Sequence, residues 1–442
     1  MCKQKFLIIG EVFTDTHLDI TNSNSAIFRL GGIFHSARAF SALGTDYAMA
    51  YYAPSYLEED INFYNVKLNS SGCFKLGKID KCPNVMIVSE SKEVGDQGYC
   101  NVLNEQAIYT ETEDILNIID IVKPTDILIN PGRYDTKSIL NKLQNLDIKI
   151  HIDMHYDSNS LLDGYLGKIE TIILSTSSDL FKNLCKGTLE GIIEYFKNYN
   201  INNILVKENR GGSYCYSTKS GTITEAYSYP TKTMHSVGVG DVYNSVFISN
   251  KFDKLQNNMT LASLIASQYA STMDFEVFKI NVSDVLDNYN KYSQIKGIRL
   301  SWEDRKNINI YMAAPDFPYV NTDKLITLEK CLKYHNFNLR FPIKENGLSD
   351  ENTTPTQRAQ IFSKDMELLQ TCDLLIATLL YNDPGTLVEI GAFGQMKKPT
   401  ILFDPYKCCN NLFAEQFSTR YCQTIEEVVE KTFELMGKEI HE

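Results

Sequence analysis

The chain has 442 residues, too many for one hydrophobic core of ordinary size, so two or three domains are expected. A hydrophobic content of 43%, with 11% aromatic and 22% charged residues, excludes a disordered or collagen-like chain. The formal net charge of -12 argues against the basic face of a nucleic-acid binder and leaves small ligands, phosphorylated ones included, as partners.

Met1 to Lys5 precedes only a short apolar run, Phe6 to Ile9, so no signal-peptide core is read there, and no stretch is long and apolar enough to span a bilayer. Eleven scattered cysteines, with Cys408-Cys409 adjacent and no C-x-x-C pair, fit reduced thiols and a cytoplasmic location. Strands are predicted over Lys5 to Gly10, Asp126 to Asn130, Lys149 to Asp153, Thr171 to Leu174 and Asn203 to Val206. Amphipathic helices lie at Ser36 to Leu43, Asp114 to Ile121, Thr136 to Leu143 and Leu189 to Tyr199. This alternation argues for βαβ units and a largely parallel sheet. His151, Asp153 and His155 share one face of a strand, but no fourth metal ligand follows, so a polar strand end is the expectation.

Helices around Leu261 to Met273 and Val282 to Tyr292 lead to a short charged joint. A second α/β unit then begins with a strand from Ile308 to Ala313 and a helix from Thr322 to His335. It continues with a helix from Pro355 to Thr371, introduced by the cap pair Thr354-Pro355, a strand from Leu374 to Thr378, a helix from Gly385 to Gln395 and a strand from Thr400 to Phe403. The boundaries read are residues 1–300, a linker at 301–307, and 308–442.

Two constellations carry chemistry. His235-Ser236-Val237-Gly238-Val239-Gly240-Asp241 runs directly into a helix. Its glycines allow a tight turn that brings N–H groups to the helix start, where an anion is favoured, and Asp241 stands beside it as a proton acceptor. No P-loop sequence is present. The other is Tyr311-Met312-Ala313-Ala314-Pro315 at one strand end, followed by Asp383-Pro384-Gly385-Thr386-Leu387-Val388-Glu389-Ile390-Gly391 after another. Strand C-terminal ends are where open α/β sheets bind ligands, and paired carboxylates suit chemistry at an anomeric carbon. Taken alone, Asp383 and Thr386 are also ordinary helix-start residues.

The glycine loop, with Gly31-Gly32 before the first helix and Gly10 to Asp15 after the first strand, resembles the ribokinase-like (PfkB-type) sugar and nucleoside kinases over roughly residues 1 to 300. The resemblance implies a three-layer α/β/α fold and phosphoryl transfer from ATP with magnesium. Asp241 would be the base, Gly238, Val239 and Gly240 the anion hole, and Asp15, Gly31 and Gly32 the acceptor-binding residues. The family's Asn-x-x-Glu element stands here as Thr176-Ser177-Ser178-Asp179, which offers Asp179 for an indirect magnesium contact. His35 replaces a family asparagine, and His235-Ser236 an Asp-Thr pair.

The second set, D-x-G-T-x-x-E-I-G with the Tyr-x-Ala-x-Pro strand end, looks like the nucleoside 2-deoxyribosyltransferases over nearly all of residues 308–442. That implies a smaller flavodoxin/Rossmann-like parallel-sheet domain that needs no cofactor for glycosyl transfer. Glu389 would be the nucleophile, Tyr311 its orienting partner, and Asp365 and Asp383 the further acids. Asn411, or Asn410, would reach into a neighbouring subunit's site. Ala314 stands where that family commonly has glycine. The expected protein is a bifunctional enzyme of nucleoside metabolism acting on nucleosides, nucleobases or sugars, with no nucleic-acid or membrane partner and with homo-oligomeric assembly. The alternative is a nucleoside or nucleotide N-glycoside hydrolase whose kinase-like part only binds a ligand.

Overall fold

The computed structural model describes residues 4–18, 26–88, 94–95, 101–154, 160–317, 319–349 and 352–438. The chain divides into two compact units, Met1–Glu93 with Gln97–Arg299, and Val94–Asp96 with Leu300–Glu442. Residues 301–307, expected as a linker, hold the short helix Trp302–Arg305, capped by Ser301 and with Trp302 and Arg305 buried. No helix among the described residues is long and apolar enough to cross a membrane.

The first unit is built on a ten-stranded sheet. Its spatial order is Ile223–Ala226, Ser213–Ser217, Ile201–Lys207, Ile169–Ser175, Lys149–Asp153, Asp126–Ile129, Lys5–Glu11, Asp46–Ala53, Gly72–Asp80 and Ile108–Glu111. The strands from Ile201–Lys207 to Gly72–Asp80 are parallel; Ile108–Glu111 at one edge and Ser213–Ser217 at the other run against them, and Ile223–Ala226 pairs antiparallel with Ser213–Ser217. Both faces are covered, so the inner strands read as unbroken apolar runs such as Phe6 to Ile9, every residue of which is fully buried. Phe6, Ile8, Leu128, Ile173 and Leu205 pack with residues of the helices Ile33–Ala42, Val239–Ile248, Leu255–Ala270 and Phe275–Asp287 in one core. The alternate residues Leu7, Ile9, Ile127 and Ile129 are equally buried but belong to the other face.

A second, four-stranded sheet, ordered Ala26–Leu30, Thr14–Leu18, Val85–Val88 and Asn101–Leu103, stands apart from the large one. Its Met86 and Val88 cluster with Val237, in the loop that leads into the helix Val239–Ile248. This small sheet is therefore packed on the residue just ahead of the glycine turn.

The second unit has a fully parallel five-stranded sheet ordered Asn338–Arg340, Asn309–Ala313, Leu374–Thr378, Thr400–Phe403 and Arg420–Cys422. In chain order that is second, first, third, fourth, fifth, so the order reverses between Asn309–Ala313 and Leu374–Thr378. The crevice outside the carboxyl ends of those two strands is where such sheets bind ligands. The helix Pro355–Thr371 begins where its cap pair predicts, with a capping box between Thr354 and Gln357.

Candidate active sites

In the first unit, the loop ending at Gly238, whose φ is +78°, turns the chain into the helix Val239–Ile248. A side chain at Gly238 would overlap the His35 ring, so glycine is required there for shape as well as for backbone conformation. The Val239 N–H is already taken by the Ser236 carbonyl at 3.2 Å, and the N–H groups that follow it in the first turn can meet an anion. Asp241 lies in that first turn, half-buried. Burial pushes its carboxyl up to about 7, helped by the negative charges of Asp153 and Asp15 and opposed by Lys207. A carboxyl poised there takes a proton efficiently near neutral pH.

Asp15 and Arg29 face each other across the antiparallel pair Thr14–Leu18 and Ala26–Leu30. Asp15 is 1% exposed, with Oδ2 3.1 Å from His35 Nε2 and 3.6 Å from Arg29 Nε. A Cβ at Gly31 would overlap this carboxylate, so the close approach that Gly31 permits is made by Asp15 itself. Gly32, at φ +60°, lies against the Glu11 carbonyl in the same way. Burial alone would raise the Asp15 carboxyl, but His35 and Arg29 outweigh it and hold it below the ordinary carboxylate range. His35 is pushed down to about 4, by burial first, and is therefore neutral. Its Nε2 lies 3.1 Å from Asp15 Oδ2, and its Nδ1 accepts from the Tyr269 hydroxyl, 2.8 Å away. His235 donates from Nε2 to the Thr272 carbonyl (2.9 Å) and accepts at Nδ1 from Arg29 (3.3 Å), whose Nη2 also donates to the Val237 carbonyl (2.9 Å). His235 and Val237 thus tie Arg29 to the loop ahead of the glycine turn, while His35 stands between Asp15 and Tyr269.

Asp179 is exposed and makes no cap hydrogen bond at the start of Leu180–Leu184. His151 bonds Asp126 (3.3 Å) while Asp153 bonds Asn244 (2.6 Å), so the strand-end set does not converge on one point; His155 lies outside the described residues. Among the described residues, no group of three or more His, Cys, Asp or Glu is arranged to hold a metal ion.

In the second unit, Tyr311 is fully buried on the strand Asn309–Ala313, and its hydroxyl donates to Glu389 Oε1 at 2.6 Å. Glu389 lies on the helix Pro384–Gln395 that follows the strand Leu374–Thr378, so this pair spans the point where strand order reverses. Burial raises the Glu389 carboxyl to about 7; the Tyr311 hydrogen bond pulls it down, and the charges of Asp365 and Asp383 push it up. Asp365 accepts from Asn346 (2.8 Å) and is itself raised by burial. Asp383 is also the cap of its helix, with Oδ2 accepting from the Thr386 N–H (2.7 Å) and hydroxyl (3.0 Å). The modest reading of Asp383 as a helix cap holds, and its charge is also felt at Glu389. Asp383→Ala should cost about 1 kcal/mol of stability through the lost cap and lower the Glu389 carboxyl, which thermal melts and a pH–rate profile would measure.

Asn411 spends its side-chain oxygen capping Leu412–Phe417, accepting from Phe413 N and Ala414 N at 3.0 and 3.1 Å. Asn410 instead accepts from Asn382 (3.0 Å), next to Asp383. Asp404, fully buried at the end of Thr400–Phe403, pins this loop by accepting from Cys408 N and Cys409 N, both at 2.9 Å. The sequence reading named none of Asp404, Arg29, Tyr269 or Asn244; each is a lone polar residue outside any spaced pattern.

Residues 310–420 match the family model described as nucleoside 2-deoxyribosyltransferase. The first unit is similar to 5-dehydro-2-deoxygluconokinases. That of Bacillus subtilis (strain 168) is 23% identical over 34% of this chain and 51% of its own length. That of Listeria innocua is 23% identical over 41% of this chain and 63% of its own. The chain thus spans between half and two thirds of these relatives. Among solved structures, the fructokinase with bound ATP from Xylella fastidiosa aligns with a TM-score of 0.49 and 13% identity, covering 65% of this chain and 99% of that one. The chain therefore joins a region similar to 5-dehydro-2-deoxygluconokinases to one that matches the nucleoside 2-deoxyribosyltransferase family model.

Proposed function

We propose that this chain is a bifunctional enzyme of nucleoside metabolism, in which the second unit transfers a deoxyribosyl group between bases and the first phosphorylates a sugar or nucleoside hydroxyl. What carries the transferase half is the Tyr311–Glu389 pair at the strand-order reversal, within the field of two further carboxyls. On this reading a Glu389 oxygen attacks the anomeric carbon as the bond to the base nitrogen breaks, and the departing base takes a proton from Asp383 or Asp365. A second base then attacks the same carbon, and the Glu389 ester is released. Glu389 must be ionised to attack, so turnover should rise with pH through about 7. Tyr311→Phe removes a hydrogen bond that favours the carboxylate, and should move that rise to higher pH, read as a shifted acid limb of kcat/KM.

For the first unit, support comes from Asp241 beside the open helix start and from the similarity to sugar kinases. The acceptor hydroxyl would attack the γ-phosphorus of ATP, its proton going to Asp241. ATP fits the turn, whose backbone is kept bare by glycines at 238 and 240. Magnesium, when bound, would offset charge on the nucleotide phosphates, and Asp179, exposed after the strand Ile169–Ser175, would be the residue for an indirect contact. A second reading, in which this unit binds a ligand without transferring phosphate, draws on one observation: Asp15, the expected acceptor-binding residue, is buried and already paired with His35 and Arg29. We also propose a cytoplasmic, homo-oligomeric protein; the exposed Val388, Leu412 and Phe413, near Glu389 and Asn411 in sequence, support the latter.

Incubation with nucleosides and free bases, with and without magnesium-ATP, and identification of products by mass separates the readings. A new nucleoside means transfer, and free sugar alone means hydrolysis. ATP-dependent gain of a phosphate on any component means kinase activity. The two halves are coupled only if the kinase acts on something the transferase binds or releases.

A further inference from the structure

Next to Asp241 lies a polar cluster of Lys207, Asp153 and Asn244, to which the comparisons assign no role. Lys207 ends the strand Ile201–Lys207, and its ammonium is 3.4 Å from Asp153 Oδ2. The same nitrogen is 3.1 Å from the point where a Cβ on Gly240 would stand, so it lies against the backbone of the anion-binding turn. Asp153, at the end of Lys149–Asp153 and 6% exposed, is held in turn by Asn244 Nδ2 at 2.6 Å. Asn244 is fully buried and sits one turn after Asp241 on the same helix.

An ammonium has three donors, and Asp153 is the sole side chain that accepts from Lys207 among the described residues. Donors are therefore left for an anion arriving at the turn. Asp153 Oδ1 and Asn244 Oδ1 are buried without partners, so the cluster is not closed by the protein alone. Burying charge is costly, and such clusters gather where chemistry needs them.

We propose that Lys207 is a catalytic residue that contacts the transferring phosphoryl group beneath the Gly238–Gly240 turn, and that Asp153 and Asn244 are positioning residues that aim its ammonium. The proposal rests on the kinase reading of this unit. During transfer the γ-phosphoryl leaves ADP and bonds to the acceptor oxygen, whose proton goes to Asp241. Lys207 keeps its proton throughout and offsets the charge on the phosphoryl oxygens.

The charged groups facing Asp241 are Asp153, Lys207 and, from the small sheet, Asp15. This gives a signature that a purely structural salt bridge would not. Removing the negative Asp153 should lower the Asp241 carboxyl, and removing the positive Lys207 should raise it. The test takes an acceptor phosphorylated by the wild type, then compares Lys207→Met, Lys207→Arg and Asp153→Asn for kcat, KM for ATP and the pH dependence of kcat/KM, with thermal melts alongside. Lys207→Met should lose on the order of 100-fold in kcat with its acid limb moved to higher pH, and Lys207→Arg should recover part of that loss. Asp153→Asn, nearly isosteric, should move the acid limb to lower pH. Wild-type kcat in Lys207→Met, or limbs that stay put or move together, would overturn the proposal. If Lys207→Met does not fold, an unmoved limb in Asp153→Asn overturns it alone. A wild type that phosphorylates no acceptor and binds no ATP brings down the kinase reading, and this inference with it.

Discussion

Glu389→Gln should abolish glycosyl exchange, lowering it by at least roughly 1000-fold, or about 4 kcal/mol of transition-state stabilisation, while the protein stays folded. An amide in place of the carboxylate cannot form the ester that carries the sugar from one base to the next. Yet its carbonyl still accepts the Tyr311 hydrogen bond, so no buried hydroxyl is left unpaired. The alanine variant is the harsher comparison. It strands the Tyr311 hydroxyl in a fully buried site, a cost of about 1–3 kcal/mol, while also relieving the burial that pushes the Glu389 carboxyl up. The two variants should therefore be equally inactive but melt at different temperatures, glutamine higher. Product analysis by mass gives the first comparison and calorimetry the second. Exchange persisting in the glutamine variant would remove Glu389 from the nucleophile's role and turn attention to Asp365, the other partly buried acid with a raised carboxyl.

The α/β layout was legible because inner strands of a parallel sheet are apolar on both faces and stand out as short runs. Lys149–Asp153, Thr136–Leu143, Pro355–Thr371, Leu374–Thr378 and Thr400–Phe403 are found with the predicted limits. The last of those helices had the sharpest signal, a capping threonine followed by proline. The small sheet was missed for the opposite reason: Thr14–Leu18 is mostly polar and Ala26–Leu30 largely exposed, so neither shows the alternation or the run that marks a strand. Asp46–Ala53 is buried but rich in alanine, methionine and tyrosine, which does not separate strand from helix.

The sites divide along similar lines. That Tyr311 and Glu389 would pair was legible because each stands in a spaced motif. The pairing of His35 with Tyr269, 234 positions apart, was not, because nothing local marks it. Asp153 was read as part of a polar strand end, without its partner: His151 turns to Asp126 while Asp153 reaches the helix that carries Asp241. Strand periodicity gives a residue's face and not what the next element brings against it.

Asp241→Asn should remove ATP-dependent phosphorylation by roughly 100- to 10,000-fold, the usual worth of a positioned general base, while ATP binding persists. Binding is expected to survive because the glycine turn offers backbone N–H groups and Lys207 lies beneath it, neither of which depends on the Asp241 proton. Losing a carboxylate next to Asp153 also removes a like-charge repulsion, so affinity for a polyanion should hold or rise. The wild-type carboxyl, held near 7 by burial and that repulsion, predicts phosphorylation that grows as pH rises through 7, where the base loses its proton. The asparagine variant should keep only a slow residual rate with no such step. Isothermal titration with ATP and a pH series of product formation separate these effects. A variant that loses ATP binding together with turnover would mean that Asp241 holds the turn in shape rather than taking the proton. A fully active one would show that the acceptor is deprotonated elsewhere. The buried Asp15 sharpens that choice. Its carboxylate, already shared between His35 and Arg29, would have to exchange one of those partners for an incoming hydroxyl, and the neutral His35 is the easier of the two to release.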